Sequence, residues 1–184
     1  LPLKKLMLRC GFEIIDALPI NTHGGSLRVI CQLKGGKYTI SSSVERLIKR
    51  EKNLGLDSLV TYEKFSENIY DVGEKLKKVL KEIKLQGKSI VGYGAPAKAT
   101  TLMHHFEIGE DIVDFIVDDS EWKHYLYTPG KGIPIVPQNF IRDKNPDYIL
   151  ILAWNFSKSI IEKNSEFKSK GGRFIIPLPE VKIV

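Results

Sequence analysis

The sequence predicts an α/β fold, a parallel sheet with helices on both faces, preceded by a helix and a β-hairpin. Three observations predict it. Short, continuously apolar strands, SIVGYG at 89–94 and DYILILAW at 147–154, alternate with helical patterns, as parallel strands covered on both sides do. The first of these runs into Gly92 and Gly94 and then into a helix, the layout of a Rossmann-like layer structure. Residues 1–35 carry a different pattern, one short helix and two strands around the turn-rich NTHGGS.

The elements follow in order. LKKLMLRC reads as a short helix ended by Gly11, a usual residue past a helix C-terminus. FEIIDALPI and SLRVICQL are strand candidates. A helix starts at Ser42 or Ser43, where a hydroxyl can cap it, and VERLIKREKNL continues with helical spacing. A long helix spans about Thr61 to Leu85, with Gly73 as an interior weakness. After SIVGYG, APAKATTLMHHF is a helix with Pro96 near its first turn. IVDFIVDD is a second strand ending in acids, and IPIVP a brief extended piece limited by Pro137. PQNFIRDKN is a short helix or turn. DYILILAW is the third strand, FSKSIIEKNSEFKSKG a helix, and GRFIIPLP the fourth strand. This gives three expected segments: 1–35, a helical connector at 36–86, and a Rossmann-like domain at 87–184.

Composition narrows the function classes. The 184 residues carry a net charge of +6 and are 42% hydrophobic, with no apolar run long enough to span a membrane. No signal peptide is legible, and a cytoplasmic protein is expected. The chain begins with Leu1-Pro2, which leads us to expect further residues upstream. The lysines are dispersed among glutamates. In the densest run, KLKKVLKEIK at 75–84, they take one helix face while Leu76, Val79, Leu80 and Ile83 take the other. Nucleic acid is not expected as a partner, because no aromatic residues interleave with basic ones. Cys10 and Cys31 lie far apart without a CxxC, and adjacent His104 and His105 point about 100° apart on a helix. No metal site is expected in these residues.

The most informative string is VGYGAPAK at 91–98. Gly92 and Gly94, with Tyr93 between them, allow a tight turn and a close approach of backbone N–H groups to a ligand. Ala95, Pro96 and Lys98 lead into a helix whose N-terminus suits phosphate. Ala97 stands where a third glycine would complete a dinucleotide fingerprint, and the GK[ST] ending of a P-loop is absent. The competing reading is a structural turn with a solvent-facing lysine. Asp118, roughly two dozen residues after Gly94, is placed to meet a ribose hydroxyl or to cap a turn. Trp154 and Asn155 follow the third strand at its C-terminal end, where open parallel sheets bind ligands, although packing also explains Trp154. His23, Ser26 and Arg28 line or turn the HGGSLR loop, and Arg28 can meet phosphate or a carboxylate. No nucleophile–base pair or paired carboxylate is legible, so no catalytic residue is assigned.

Six strings in order resemble one family, the S-adenosylmethionine-dependent C-methyltransferases of nucleotide-linked deoxysugars: HGGSLR (23–28), VGYGAPAKATTL (91–102), VDDSEWK (117–123), YTPGKGIPI (127–135), PDYILILAWNF (146–156) and GGRFIIPLP (171–179). The resemblance implies that residues 1–35 close a methyltransferase domain and that the rest forms a C-terminal nucleotide-sugar domain. It implies S-adenosylmethionine, and possible zinc, bound by upstream residues. It implies a nucleotide-diphosphate sugar as substrate, with this segment alone inactive. Ala99-Thr100 and Ser120-Glu121 depart from the Gly-Asn and Asn-Pro usual in the family at those places, and His104 from an asparagine. The alternatives are an NAD(P)-binding oxidoreductase domain, supported by the G-x-G turn and acidic strand end, and a non-catalytic nucleotide-binding module. The oligomeric state is not legible.

Overall fold

A computed structural model describes all residues, 1–184. The chain divides into two compact units, Leu1–Glu67 and Asn68–Val184. In the first, α1 (Pro2–Arg9) leads through Gly11 (φ +80°) into β1 (Phe12–Ile20) and β2 (Ser26–Leu33), an antiparallel hairpin with a bulge between Ile14 and Asp16. Helix α2 (Ser42–Asn53) starts at Ser41, whose hydroxyl accepts from the Ser43 N–H. A two-stranded sheet cannot bury a core by itself. Here Val44, Leu47 and Ile48 of α2 pack against Ile14, Ala17, Val29 and Cys31 of the hairpin. The buried Ser43 hydroxyl donates to the Asp16 carboxylate and accepts from the Ala17 N–H, which fixes the helix start to the bulge. That hydroxyl, chiefly, holds the Asp16 carboxyl below its ordinary value. The compact units therefore do not coincide with the three expected segments: α2 covers the hairpin instead of acting as a connector, and the division falls inside α3 (Leu59–Leu85).

The second unit holds a six-stranded sheet in the order β5-β4-β3-β6-β7-β8, parallel except for the last strand. The strands are β3 (Ile90–Tyr93), β4 (Ile116–Val117), β5 (Ile135–Val136), β6 (Tyr148–Ile151), β7 (Arg173–Ile176) and β8 (Lys182–Ile183). Alternate residues feed two cores, as the two-residue period requires. One face takes Ile90, Ile116, Leu150, Leu152 and Ile175 against Leu76, Leu80 and Ile83 of α3 and Leu102 and Met103 of α4 (Ala97–His105). The other takes Val91, Tyr93, Val117, Ile149, Ile151 and Phe174 against Ile141 of α5 (Asn139–Lys144), Ile160 of α6 (Ser157–Lys163) and Phe167 of α7 (Ser165–Ser169). Each fully buried aliphatic side chain contributes about 1.5–3 kcal/mol. The sheet with helices on both faces is the fold the sequence predicts.

Several details differ from the expectation. Pro96, expected near the first turn of α4, is its N-cap, with extended backbone. The second strand narrows to Ile116–Val117, because Ile112 and Val113 turn back to bond the Gly109 carbonyl. The helix expected over 156–171 breaks at Asn164 (φ −108°, ψ 34°), whose backbone N–H and side-chain amide both donate to the Ile160 carbonyl. The antiparallel β8 was not foreseen.

Gly73 costs helix propensity, and it is also a close approach. A Cβ there would lie 2.5 Å from the ring of Phe106, which is itself buried. Gly73→Ala would gain about 1 kcal/mol in helix propensity. The clash outweighs it, since overpacking costs about 1–3 kcal/mol. The variant should therefore melt lower than wild type, and Phe106→Leu in the same chain should restore part of the loss. A variant more stable than wild type would show that propensity decides this position.

Candidate functional site at the reversal of strand order

The site begins where β3 ends. Gly94 sits at φ +87°, a backbone region that L side chains rarely adopt. Its N–H bonds the Val117 carbonyl at 2.7 Å, and a Cβ on it would lie 2.6 Å from the Cβ of Ala153. A Cβ on Gly92 would meet Ile116 at 2.7 Å and Leu152 at 3.0 Å. Both glycines are thus required by packing between neighbouring strand ends, whatever the ligand. The next N–H, of Ala95, donates to Asp118 Oδ2 at 2.6 Å, and Pro96 has none to offer. Two of the donors that sequence reasoning reserved for phosphate are consumed by the fold. The N–H groups of Ala97 and Lys98, in the first turn of α4, have no intrahelical acceptor.

Asp118, at the end of β4, is the clasp of this turn. It is 8% exposed. Besides Ala95 it accepts from the Ser120 N–H at 2.9 Å, and the Lys123 ammonium lies 3.1 and 3.3 Å from its two oxygens. Lys123 also donates to the Ala95 carbonyl at 3.2 Å, and a His124 ring nitrogen lies 2.8 Å from the Asp118 carbonyl. Burial pushes the Asp118 carboxyl up, but the two N–H groups and Lys123 outweigh it and hold it below its ordinary value. The carboxylate expected to face a ribose is instead engaged by its own chain.

The other wall comes from the end of β6. Strand order runs outward from β3 through β4 to β5 on one side and from β6 to β7 on the other. The crevice between the C-terminal ends of β3 and β6 is the place where sheets of this kind bind ligands. The structure brings together there Gly94, Ala95, Pro96 and Lys98 from one strand end and Ala153 and Trp154 from the other. The Lys98 ammonium lies 4.2 Å from the centroid of the Trp154 ring and forms no ion pair. Partial burial lowers its pKa. Trp154 also packs on the core, and Asn155 beside it is exposed. A partly desolvated cation without a carboxylate is suited to an arriving anion.

Tyr93 faces elsewhere. Its ring is buried in the core under α5, α6 and α7 and its hydroxyl donates to Asp119 at 3.0 Å, next to the Asp119–Lys163 ion pair at 2.7 Å. Burial raises its pKa. Lys123 and Lys163 were not singled out from sequence; only the acids they pair with, at the end of a strand, hinted at cations nearby. A cavity of about 320 Å³ opens between α5 and α6–α7 and is lined by Arg142, Lys163, Asn164 and Phe167, not by the crevice residues.

His23, Ser26 and Arg28 belong to the first unit. His23 takes a left-handed backbone (φ +52°), and the Ser26 hydroxyl donates to the Thr22 carbonyl at 3.1 Å, so both shape the hairpin turn. Arg28 is exposed on β2. His104 lies 3.1 Å from the Pro129 carbonyl and Gly130 packs on its ring. No three His, Cys, Asp or Glu residues cluster as a metal site would need, and no helix is long and apolar enough to cross a membrane.

The strings that form this crevice lie within residues 21–179, which match the family described as C-methyltransferase C-terminal domain. The chain belongs to that family. As a C-methyltransferase C-terminal domain it is also 30% identical, over 174 residues and 95% of its length, to C-methyltransferase NovU of Streptomyces niveus. It spans 41% of that relative's length. Among solved structures, UDP-D-quinovosamine 4-dehydrogenase from Vibrio fischeri is 19% identical, with a TM-score of 0.38 over 53% of this chain and 93% of that one. That likeness is too slight to bear on the function of this C-methyltransferase domain.

Proposed function

We propose that this chain is the nucleotide-sugar-binding part of an S-adenosylmethionine-dependent C-methyltransferase acting on a nucleotide-linked keto-deoxysugar. Lys98 carries the reading. It is a partly buried cation without an ion pair, at the start of α4 and beside the reversal of strand order. The diphosphate is held by the Lys98 ammonium and by the N–H groups of Ala97 and Lys98, with Trp154 as the apolar wall. S-adenosylmethionine supplies the methyl group for a carbanion formed next to the sugar ketone, and it is bound by the longer protein outside these residues, as any zinc is. This chain's own contribution is to hold and orient the sugar so that the carbon and the methyl group meet in line. A cytoplasmic location is part of the same proposal. The NAD(P) reading is disfavoured by Asp118, because the carboxylate needed for a ribose already serves Ala95, Ser120 and Lys123.

The test is titration of a nucleoside-diphosphate sugar into the chain, followed by calorimetry. Lys98→Ala should weaken binding roughly ten- to a hundredfold, the worth of one charge-assisted hydrogen bond. The effect should shrink as salt rises. Equal binding by wild type and a folded Lys98→Ala variant would remove the crevice as the site.

A further inference from the structure

We infer that Trp122 is a stacking surface for the base of the nucleotide held at the crevice, an inference that rests on the nucleotide-sugar reading above. Trp122 is 92% exposed, the most exposed of the large apolar side chains. An indole left in water in this way calls for a reason, since its apolar surface gains nothing there. The segment that carries it is not loose. It is a 3₁₀ turn, Glu121–Lys123, pinned at both ends to the strand-end clasp. On one side the Ser120 N–H donates to Asp118; on the other Lys123 reaches Asp118 and the Ala95 carbonyl, and His124 meets the Asp118 carbonyl. The next residue, Tyr125, is 72% exposed and is held in a left-handed backbone (φ +64°), while its N–H bonds the Ile135 carbonyl at 2.7 Å. Strain of that kind persists only where the surroundings enforce it. The chain thus presents two exposed rings on a fixed pedestal.

The location selects the ligand. Trp122 is one residue from the lysine that touches Ala95, and Ala95 belongs to the turn that leads into Lys98. A nucleoside's base lies one ribose away from its diphosphate, so a phosphate at the start of α4 brings the base to the neighbourhood of this turn. Stacking on an aromatic ring tolerates any base, since every base has a π-face. Asp118 is engaged by its own chain, and the exposed Trp122 ring offers the nucleoside an aromatic face.

Calorimetry of the chain with thymidine diphosphate, uridine diphosphate and inorganic pyrophosphate tests this. Trp122→Ala should weaken both nucleotides about tenfold and leave pyrophosphate unchanged, and Trp122→Phe should recover most of the loss. Because the side chain is exposed, both variants should melt as wild type does. Nucleotide binding that Trp122→Ala leaves intact overturns the inference while the crevice reading stands. An equal loss for pyrophosphate overturns it too, by making Trp122 a determinant of the phosphate end. Wild type that binds none of the three probes removes the nucleotide-sugar reading itself, and this inference with it.

Discussion

Gly94→Val is expected to destabilise the unit Asn68–Val184 by about 2–5 kcal/mol, before any question of ligand arises. Two effects add. A branched residue at φ +87° must adopt a left-handed backbone, which costs about 1–2 kcal/mol. Its Cβ must also displace the Cβ of Ala153, 2.6 Å away at the end of β6, in a layer with no spare volume. The two shares separate in a double-mutant cycle. Gly94→Ala should destabilise the wild-type chain strongly, and the same change in an Ala153→Gly background should keep only the backbone share. Denaturant unfolding gives the numbers. Gly94→Ala as stable as wild type would mean that the two strand ends do not hold the spacing described. Loss of nucleotide binding in Gly94→Val would therefore report on folding, and Lys98 remains the position that interrogates the site.

The second large effect is at Asp118. Asp118→Ala would strand the N–H groups of Ala95 and Ser120 and leave the Lys123 ammonium without its carboxylate. Removing a buried acceptor from charged and backbone donors costs about 2–4 kcal/mol, and water takes back part of the Lys123 share, since that side chain is 39% exposed. The pH dependence has a definite sign. The folded-state pKa of Asp118 is below its ordinary value, so the stabilisation is fully present above the unfolded value, about 3.9, and is lost as pH falls through the folded one. The stability gap between wild type and Asp118→Ala should be constant near neutrality and should close in the acid range below about pH 4. Unfolding curves from pH 7 downward measure it. A gap that persists unchanged into strong acid, or that is absent at pH 7, would show that Asp118 does not clasp the turn.

The layered α/β architecture is legible in the residues alone, and so is the strand-to-helix turn on which the candidate site is built. Continuous apolar strands such as DYILILAW need cover on two faces, and a glycine turn between strand and helix marks the C-terminal edge of a sheet, where α/β ligands bind. These signals are local and periodic, so a short stretch of residues carries each of them. The partners of each of these residues come from parts of the chain distant in sequence. Gly92 and Gly94 read as permissive backbone in sequence and Gly73 as a weak point in a helix, yet each is fixed by a side chain far along the chain: Ile116 and Leu152, Ala153, and Phe106. Asp118 looked like a ribose ligand because its position fits that pattern; its carboxylate is taken by Ala95 and Lys123, and no spacing rule encodes that partnership. Tyr93, one residue from the turn, points to the opposite core because successive strand residues alternate faces. Lys98 and Trp154 are 56 positions apart (154 − 98) and meet only because β3 and β6 are neighbours where the strand order reverses. A side chain's neighbours across a sheet follow from strand order, which no local pattern of residues carries.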